Sequence, residues 1–280
     1  PETSTPPERI ISELRKCAAE GVQEIVLTGT RIGAYRYEGG LEGLLRRLLD
    51  ETAIPRIRIS SLEPDELSPS LLDLWRTNER LCRHLHMALQ SGSDSVLTCM
   101  QRGYTGESYR KAVRAVREAI PDIAITTDVI VGFPGETAEA FEESYRFCEE
   151  MAFAGIHVFP YSDRSGTPAT ALEGKVPEGI KNERTRRMLD LSQRSAQAFR
   201  RRFRGKVLPV LWEEQKNGVW TGYTSNYIRV FARSDRPLAN RLVLARLGEE
   251  YHQSLWGEVS DEEMAERSGE SEHRWLKVST

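Results

Sequence analysis

The sequence holds few of the residues that stabilise a secreted protein or hold a metal. Its 280 residues include four cysteines, Cys17, Cys82, Cys99 and Cys148, scattered with no CxxC pair among them. That spacing fits neither a disulfide framework nor a thiolate metal site, so they read as free thiols, mostly buried. No apolar run approaches the roughly 20 residues that a membrane helix needs, and no signal-peptide pattern is present. A cytoplasmic protein without membrane contact is expected. The net charge is only −3, which argues against nonspecific nucleic-acid binding by the chain as a whole. The chain also lacks an initiator Met, starting at Pro1 inside a polar run, and so reads as a piece of a longer protein.

Short β-branched runs recur at 24–28, 56–60, 84–88, 123–131 and 155–159. Segments with helical spacing lie before and between them, at 7–20, 41–50, 69–75, 107–119 and 136–151. A strand–helix unit of roughly 30 residues implies parallel strands joined by right-handed crossovers, in a doubly wound sheet or a (β/α) barrel. In either fold the ligand site lies at the C-terminal strand ends, and polar or glycine residues follow each run there. Five such ends converge more easily in a barrel.

The pattern stops after Thr167. Residues 181–206 carry ten basic side chains against Glu183 and Asp190, and from Lys206 to about Val259 short strands alternate with turn signals such as Lys216-Asn217-Gly218. That change indicates a small antiparallel barrel. The expected organisation is 1–203 for the strand–helix part, 204–260 for the small barrel, and 261–280 for a polar tail with little claim to order.

Several residues just past strand ends suit ligand contact. Thr28 and Gly29 allow close backbone approach, or form a plain turn. Ser60, Ser61 and Glu63 offer hydroxyls and a carboxylate to an amine or ribose, or cap a helix. Gln90 and Ser91 face a strand end, with Ser93 or Asp94 able to cap the next helix, near whose end Arg102 lies. An arginine there either complements the helix dipole or takes a carboxylate bidentately. His84 and His86 share one face of a strand; two such histidines could ligate a metal, but spacing identifies no third ligand, which favours structural or substrate-lining roles. His157, His252 and His273 stand alone. Asp128, inside a strand, faces the barrel interior or a helix and needs a partner. The loop GFPGET from Gly132 lacks a P-loop lysine and GxGxxG spacing, so it is not a nucleotide-phosphate cradle.

Three segments together, HLHMALQSGSDSVLTCMQRGYT from His84, DVIVGFPGET from Asp128 and FPYSDRSGTPA from Phe159, resemble the radical S-adenosylmethionine (SAM) methylthiotransferases. The likeness extends from about Pro6 to Val259. Ala88, Asp163 and Ser165 stand where that family usually has proline. EIVLTG with GAY at Gly33 and GYTSNYIRV at Gly222 are most similar to the branch acting on threonylcarbamoyladenosine in tRNA.

The resemblance implies a partial radical SAM barrel followed by an RNA-binding TRAM barrel. It implies SAM contacts at Thr28, Gly29, Ser60, Glu63, Gln90, Ser91, Arg102, Asp128, Phe133 and Tyr161. Arg200, Arg201, Arg202, Arg204, Tyr223, Asn226, Tyr227 and Arg229 would supply cations and stacking rings to tRNA. The cofactors implied are SAM and [4Fe-4S] clusters, with the cluster's CxxxCxxC expected upstream of Pro1, so that the piece itself is expected to be inactive. The implied reaction methylthiolates C2 of N6-threonylcarbamoyladenosine at position 37, from an unknown sulfur donor. The alternatives are a methylthiotransferase for isopentenyladenosine tRNA or a ribosomal-protein aspartate, a non-catalytic RNA-binding module, and a (β/α) enzyme of another kind.

Overall fold

A computed structural model describes residues 3–164, 166–263 and 274–279; Ser165 and His273 lie outside the described residues. Seven helices and five strands build the first two-thirds. The helices are α1 (Pro7–Ala19), α2 (Gly40–Glu51), α3 (Pro69–Thr77), α4 (Asp94–Cys99), α5 (Gly106–Ala119), α6 (Ala138–Met151) and α7 (Glu178–Arg201). The strands are β1 (Glu24–Gly29), β2 (Arg56–Ile59), β3 (His84–His86), β4 (Ala124–Val131) and β5 (Gly155–Pro160). Local chemistry explains the helix starts. Pro7 opens α1, Thr105 and Ser108 form a reciprocal capping box on α5, and the Thr137 hydroxyl accepts the Ala140 N–H at the start of α6.

All five strands are parallel. β1 pairs with β2 and β3 with β4, which pairs in turn with β5; an Ile57–Leu81 bridge joins the two groups. The helices cover the outside, and their apolar faces meet the sheet in one core that includes Leu14, Leu45, Trp75, Tyr109, Phe141 and Phe153. Trp75 is fully buried, and its indole N–H donates to the Cys82 carbonyl at 2.9 Å, so the ring is satisfied as well as packed.

Strands β6 (Val207–Lys216), β7 (Val219–Thr224), β8 (Arg229–Arg233), β9 (Arg241–Tyr251) and β10 (Ser254–Glu263) close into a barrel in the order β10-β8-β7-β6-β9. Four of its pairings are antiparallel, as the turn signals imply, but β10 runs parallel to β8. That parallel closure needs a long connection and cannot be read from alternation.

The small barrel sits under the N-terminal ends of the parallel strands. Glu24 and Arg56, the first residues of β1 and β2, form a buried cluster with Arg58: the Glu24 carboxylate lies 2.7 Å from Arg56 and 2.8 Å from Arg58. The two guanidiniums then donate to the carbonyls of Tyr223 and Thr224 at the end of β7 and of Ser225 in the turn after it. Tyr227 packs tilted against His84 with ring centroids 4.9 Å apart.

The stretch expected to be a polar tail departs from that expectation. Residues 261–263 continue β10, and β11 (Arg274–Ser279) lies parallel on the outer edge of β1, with Leu27 opposite Leu276. Thr5 donates to the Val278 carbonyl at 2.9 Å, and Val278 is fully buried. The short WLKV run covers an edge that would otherwise present unpaired backbone groups, a long-range match hidden by the polar residues around it. Among the described residues no helix is long and apolar enough to cross a membrane.

Candidate active site at the strand ends

Because the strands are parallel, their C-terminal ends open on one side, and backbone hydrogen bonds tie each end to its neighbour. Ser60 N–H donates to Leu27 O, Leu62 N–H to His86 O, Gln90 N–H to Asp128 O, and Tyr161 N–H to Val131 O. The sequence-derived positions Thr28, Gly29, Ser60, Gln90, Ser91, Phe133 and Tyr161 therefore follow successive strand ends around one mouth. Glu63 lies beside it at a 3₁₀ turn (Pro64–Glu66), where its N–H donates to the Glu66 carboxylate at 2.9 Å. Burial raises the Glu66 carboxyl above the usual carboxylate range. Arg102 is exposed, after the C-terminal end of α4.

The turn after β3 is tightly specified. Gln90 takes φ 66°, in the left-handed region, and its backbone bridges Asp128 and Ile130 of β4. A Cβ on Gly92 would lie 2.6 Å from the Phe147 Cβ and 2.9 Å from the Ser144 Cα, so only glycine lets α6 approach. Gly92 N–H donates to the Ser144 hydroxyl, and Ser93 to the Glu143 carboxylate. Neither expected side-chain cap forms on α4; Asp94 instead accepts the Gly106 N–H at 2.7 Å, joining α4 to the start of α5.

The loop after β4 is held by α7. Gly132 has φ +76°, and the Lys181 side chain packs where a Cβ would sit; the Lys181 ammonium donates to the Tyr161 carbonyl. Glu136 is buried and accepts from Gly132 N–H at 2.8 Å and from Arg184 at 2.7 Å. Burial pushes its carboxyl up against those two contacts, which favour the charged form. Phe133 and Tyr161 meet edge to face at 5.2 Å, forming an aromatic corner of the mouth.

Beneath the mouth, the inner face carries the alternate residues of adjoining strands. His86 lies opposite Thr126, and Asp128 opposite His157. Asp128 thus faces the interior, 3.3 Å from His86 Nε2. His157, which stands alone in sequence, joins this group because β4 and β5 pair in that register. His84 is buried deeper, which keeps its imidazole neutral, well below its ordinary pKa.

Much of the arginine strip is already engaged within the molecule. Arg184 pairs with Glu136, Arg187 with Glu142, Arg200 and Arg201 with Glu250, Arg202 with Asp122, and Arg204 with Glu249. Tyr223 stacks on Tyr227, Asn226 is buried against Thr224, and exposed Arg229 lies over the Phe231 ring. Arg200, Arg201, Arg202 and Arg204, with these small-barrel side chains, sit at or near the end opposite the mouth, whereas Arg184 lies at the mouth on Glu136.

At the mouth, the Ser60 hydroxyl and the Glu66 Oε1 are buried with no hydrogen-bond partner among the described residues. Unpaired buried polar groups gain from a ligand that satisfies them. A three-thiolate cluster set does not fit the cysteines present. Cys17, Cys82 and Cys148 are buried and Cys99 exposed. The one group of three potential metal-ligating side chains among the described residues contains no cysteine.

Residues 1–148 match the family described as the Radical SAM superfamily. The chain is 35% identical over 276 residues to threonylcarbamoyladenosine tRNA methylthiotransferase MtaB of Bacillus subtilis, covering 94% of this chain and 61% of that protein. It is 37% identical over 265 residues to tRNA-2-methylthio-N(6)-dimethylallyladenosine synthase of Acetivibrio thermocellus, covering 92% of this chain and 55% of that one. Thus it spans little more than half the length of these relatives. Among solved structures, coproporphyrinogen III oxidase (HemN) of Escherichia coli superposes with a TM-score of 0.53 at 13% identity, over 78% of this chain and 60% of that one.

Proposed function

We propose, from the premise that this chain belongs to the radical SAM superfamily, that it forms the barrel and small-barrel part of a tRNA methylthiotransferase. The reaction is SAM-dependent radical methylthiolation of C2 of N6-threonylcarbamoyladenosine at position 37. Similarity to the Bacillus subtilis protein over 94% of this chain carries the reading. Comparable similarity to the dimethylallyladenosine synthases supports isopentenyladenosine tRNA as the alternative substrate.

Family membership implies SAM and a [4Fe-4S] cluster, the cluster held by thiolates that this sequence does not itself provide. Bound together, they supply the radical chemistry that activates an unreactive C–H bond. The chain's own residues bind, orient and shield. Thr28, Gly29, Ser60, Glu63, Gln90, Ser91 and Arg102 hold the amino-acid and ribose parts of SAM, Phe133 and Tyr161 flank its adenine, and the packed loops exclude water. tRNA is the partner, and Arg200, Arg201, Arg202, Arg204, Tyr223, Asn226, Tyr227 and Arg229 form its candidate contact set on the small-barrel side. For that role several of the arginine ion pairs exchange protein carboxylates for phosphates.

Mass spectrometry of nucleosides from a strain lacking the gene tests the assignment. Loss of the methylthio form of threonylcarbamoyladenosine, with the unthiolated nucleoside accumulating, supports it. Loss of the isopentenyl counterpart favours the alternative, and an unchanged nucleoside profile refutes both.

A further inference from the structure

Three strands deliver two imidazoles and a carboxylate to one point on the inner barrel face. His86 ends β3, Asp128 lies in the middle of β4, and His157 is its register partner on β5. One ligand atom from each lies within 4.8 Å of the others. The His86 Nε2 to Asp128 Oδ2 distance is 3.3 Å. Two ligands at about 2.0–2.1 Å from a tetrahedral ion stand roughly 3.4 Å apart, so this pair already has the edge length of a coordination polyhedron. His157 is exposed, and its ring centroid lies 5.9 Å from that of His86.

A second feature orients the first ligand. The Thr126 hydroxyl lies 3.1 Å from His86 Nδ1 and 3.0 Å from His84 Nε2. With the hydroxyl accepting from His86 Nδ1–H and donating to His84 Nε2, the tautomer that metal binding requires, the His86 Nε2 lone pair is directed at Asp128. A hydrogen bond to the far nitrogen is the arrangement that fixes tautomer and ring angle in a metal-bound histidine. An ordinary surface ion pair needs no such support.

We propose that His86, Asp128 and His157 bind one divalent first-row transition-metal ion. Two imidazoles and one carboxylate suit zinc, ferrous iron or cobalt over magnesium or calcium, which prefer oxygen alone. Three protein ligands leave at least one coordination position open to water or to an oxygen of a substrate entering the mouth. The site is distinct in ligand chemistry from any thiolate-held cluster, and it does not depend on which substrate the enzyme takes.

The test is titration of the metal-free 280-residue chain, carrying Cys99→Ser to remove the exposed thiol, with Co2+ followed by its visible spectrum and with Zn2+ followed by calorimetry. The expected result is one saturable equivalent of each, a cobalt spectrum without thiolate charge-transfer bands, and at least tenfold weaker binding in both His157→Ala and Asp128→Asn. Those two side chains are partly exposed, so the variants fold, which circular dichroism checks; His86→Gln is then the third arm. Absence of saturable binding, or binding unchanged in both variants, overturns the site and leaves His86–Asp128 a plain ion pair. A thiolate spectrum overturns it as well, assigning the ion to cysteine.

Discussion

Replacing Glu24 with glutamine tests the junction between the two barrels. The Glu24 side chain is 1% exposed, and its carboxylate faces both Arg56 and Arg58, themselves 6% and 4% exposed. Glutamine keeps the shape and removes the charge, leaving two buried guanidiniums without a counterion. Breaking a buried pair in this way costs about 3–5 kcal/mol, a large share of the roughly 5–15 kcal/mol that a domain possesses. The arginines also hold the carbonyls of Tyr223, Thr224 and Ser225, so the loss falls on the contact between barrels as well as on β1 and β2. Urea unfolding followed by tryptophan fluorescence reads both, because Trp75 lies in the large barrel and Trp212, Trp220 and Trp256 in the small one. Expected are a stability loss of about 3–5 kcal/mol and a separation of the two transitions. A loss below about 1 kcal/mol, the value of an exposed pair, refutes the reasoning.

Gly92→Ala drives a methyl against Phe147 and the α6 backbone, at distances no Cβ tolerates; a cost of about 1–3 kcal/mol is expected in thermal denaturation, and an unchanged melting temperature contradicts the packing. Ellman's reagent on the native chain near neutral pH should find one reactive thiol, Cys99, since Cys17, Cys82 and Cys148 are buried; rapid reaction of two or more is the contrary result. Burial pushes the Cys148 thiol up to about 12 and raises Cys82 as well. Groups whose folded pKa lies above the unfolded value of about 8.5 contribute stability that is complete below that pH and is lost as pH rises towards the folded value. Stability measured across that alkaline window should therefore fall, and Cys148→Ala should flatten the slope.

The parallel strands and their mouth were legible because a repeating strand–helix unit leaves only a few topologies, all with the ligand end at the strand C-termini. Local spacing puts Gln90 and Ser91 at a strand end, whereas Phe133 and Tyr161 enter as candidates through the family resemblance. Local sequence leaves Asp128 between interior and helix, and the pairing of β4 with β3 and β5 turns it to the interior. What stayed hidden depends on register between distant segments. Nothing near His157 signals His86, 71 positions earlier, and only the β3–β4–β5 register makes them neighbours. Glu24 reads as a strand-edge charge until Arg56 and Arg58 pair with it from β2. The arginine strip poses the reverse difficulty: its charge is plain in the sequence, but the carboxylates that engage it come from the β4–α6 loop, α6, β9 and the turn before β4. β11 is hidden in the sequence for the same reason, because its partner β1 lies at the other end of the chain.

The proposed function requires one mouth, built by the loops after five parallel strands, to take SAM. Hydrogen exchange of the full-length, cluster-loaded enzyme with and without SAM tests it most directly. Slowed exchange should concentrate at 28–35, 60–66, 90–94, 131–137 and 159–163. Protection confined to the small barrel or to the opposite end of the strands, or none at saturating SAM, would contradict it.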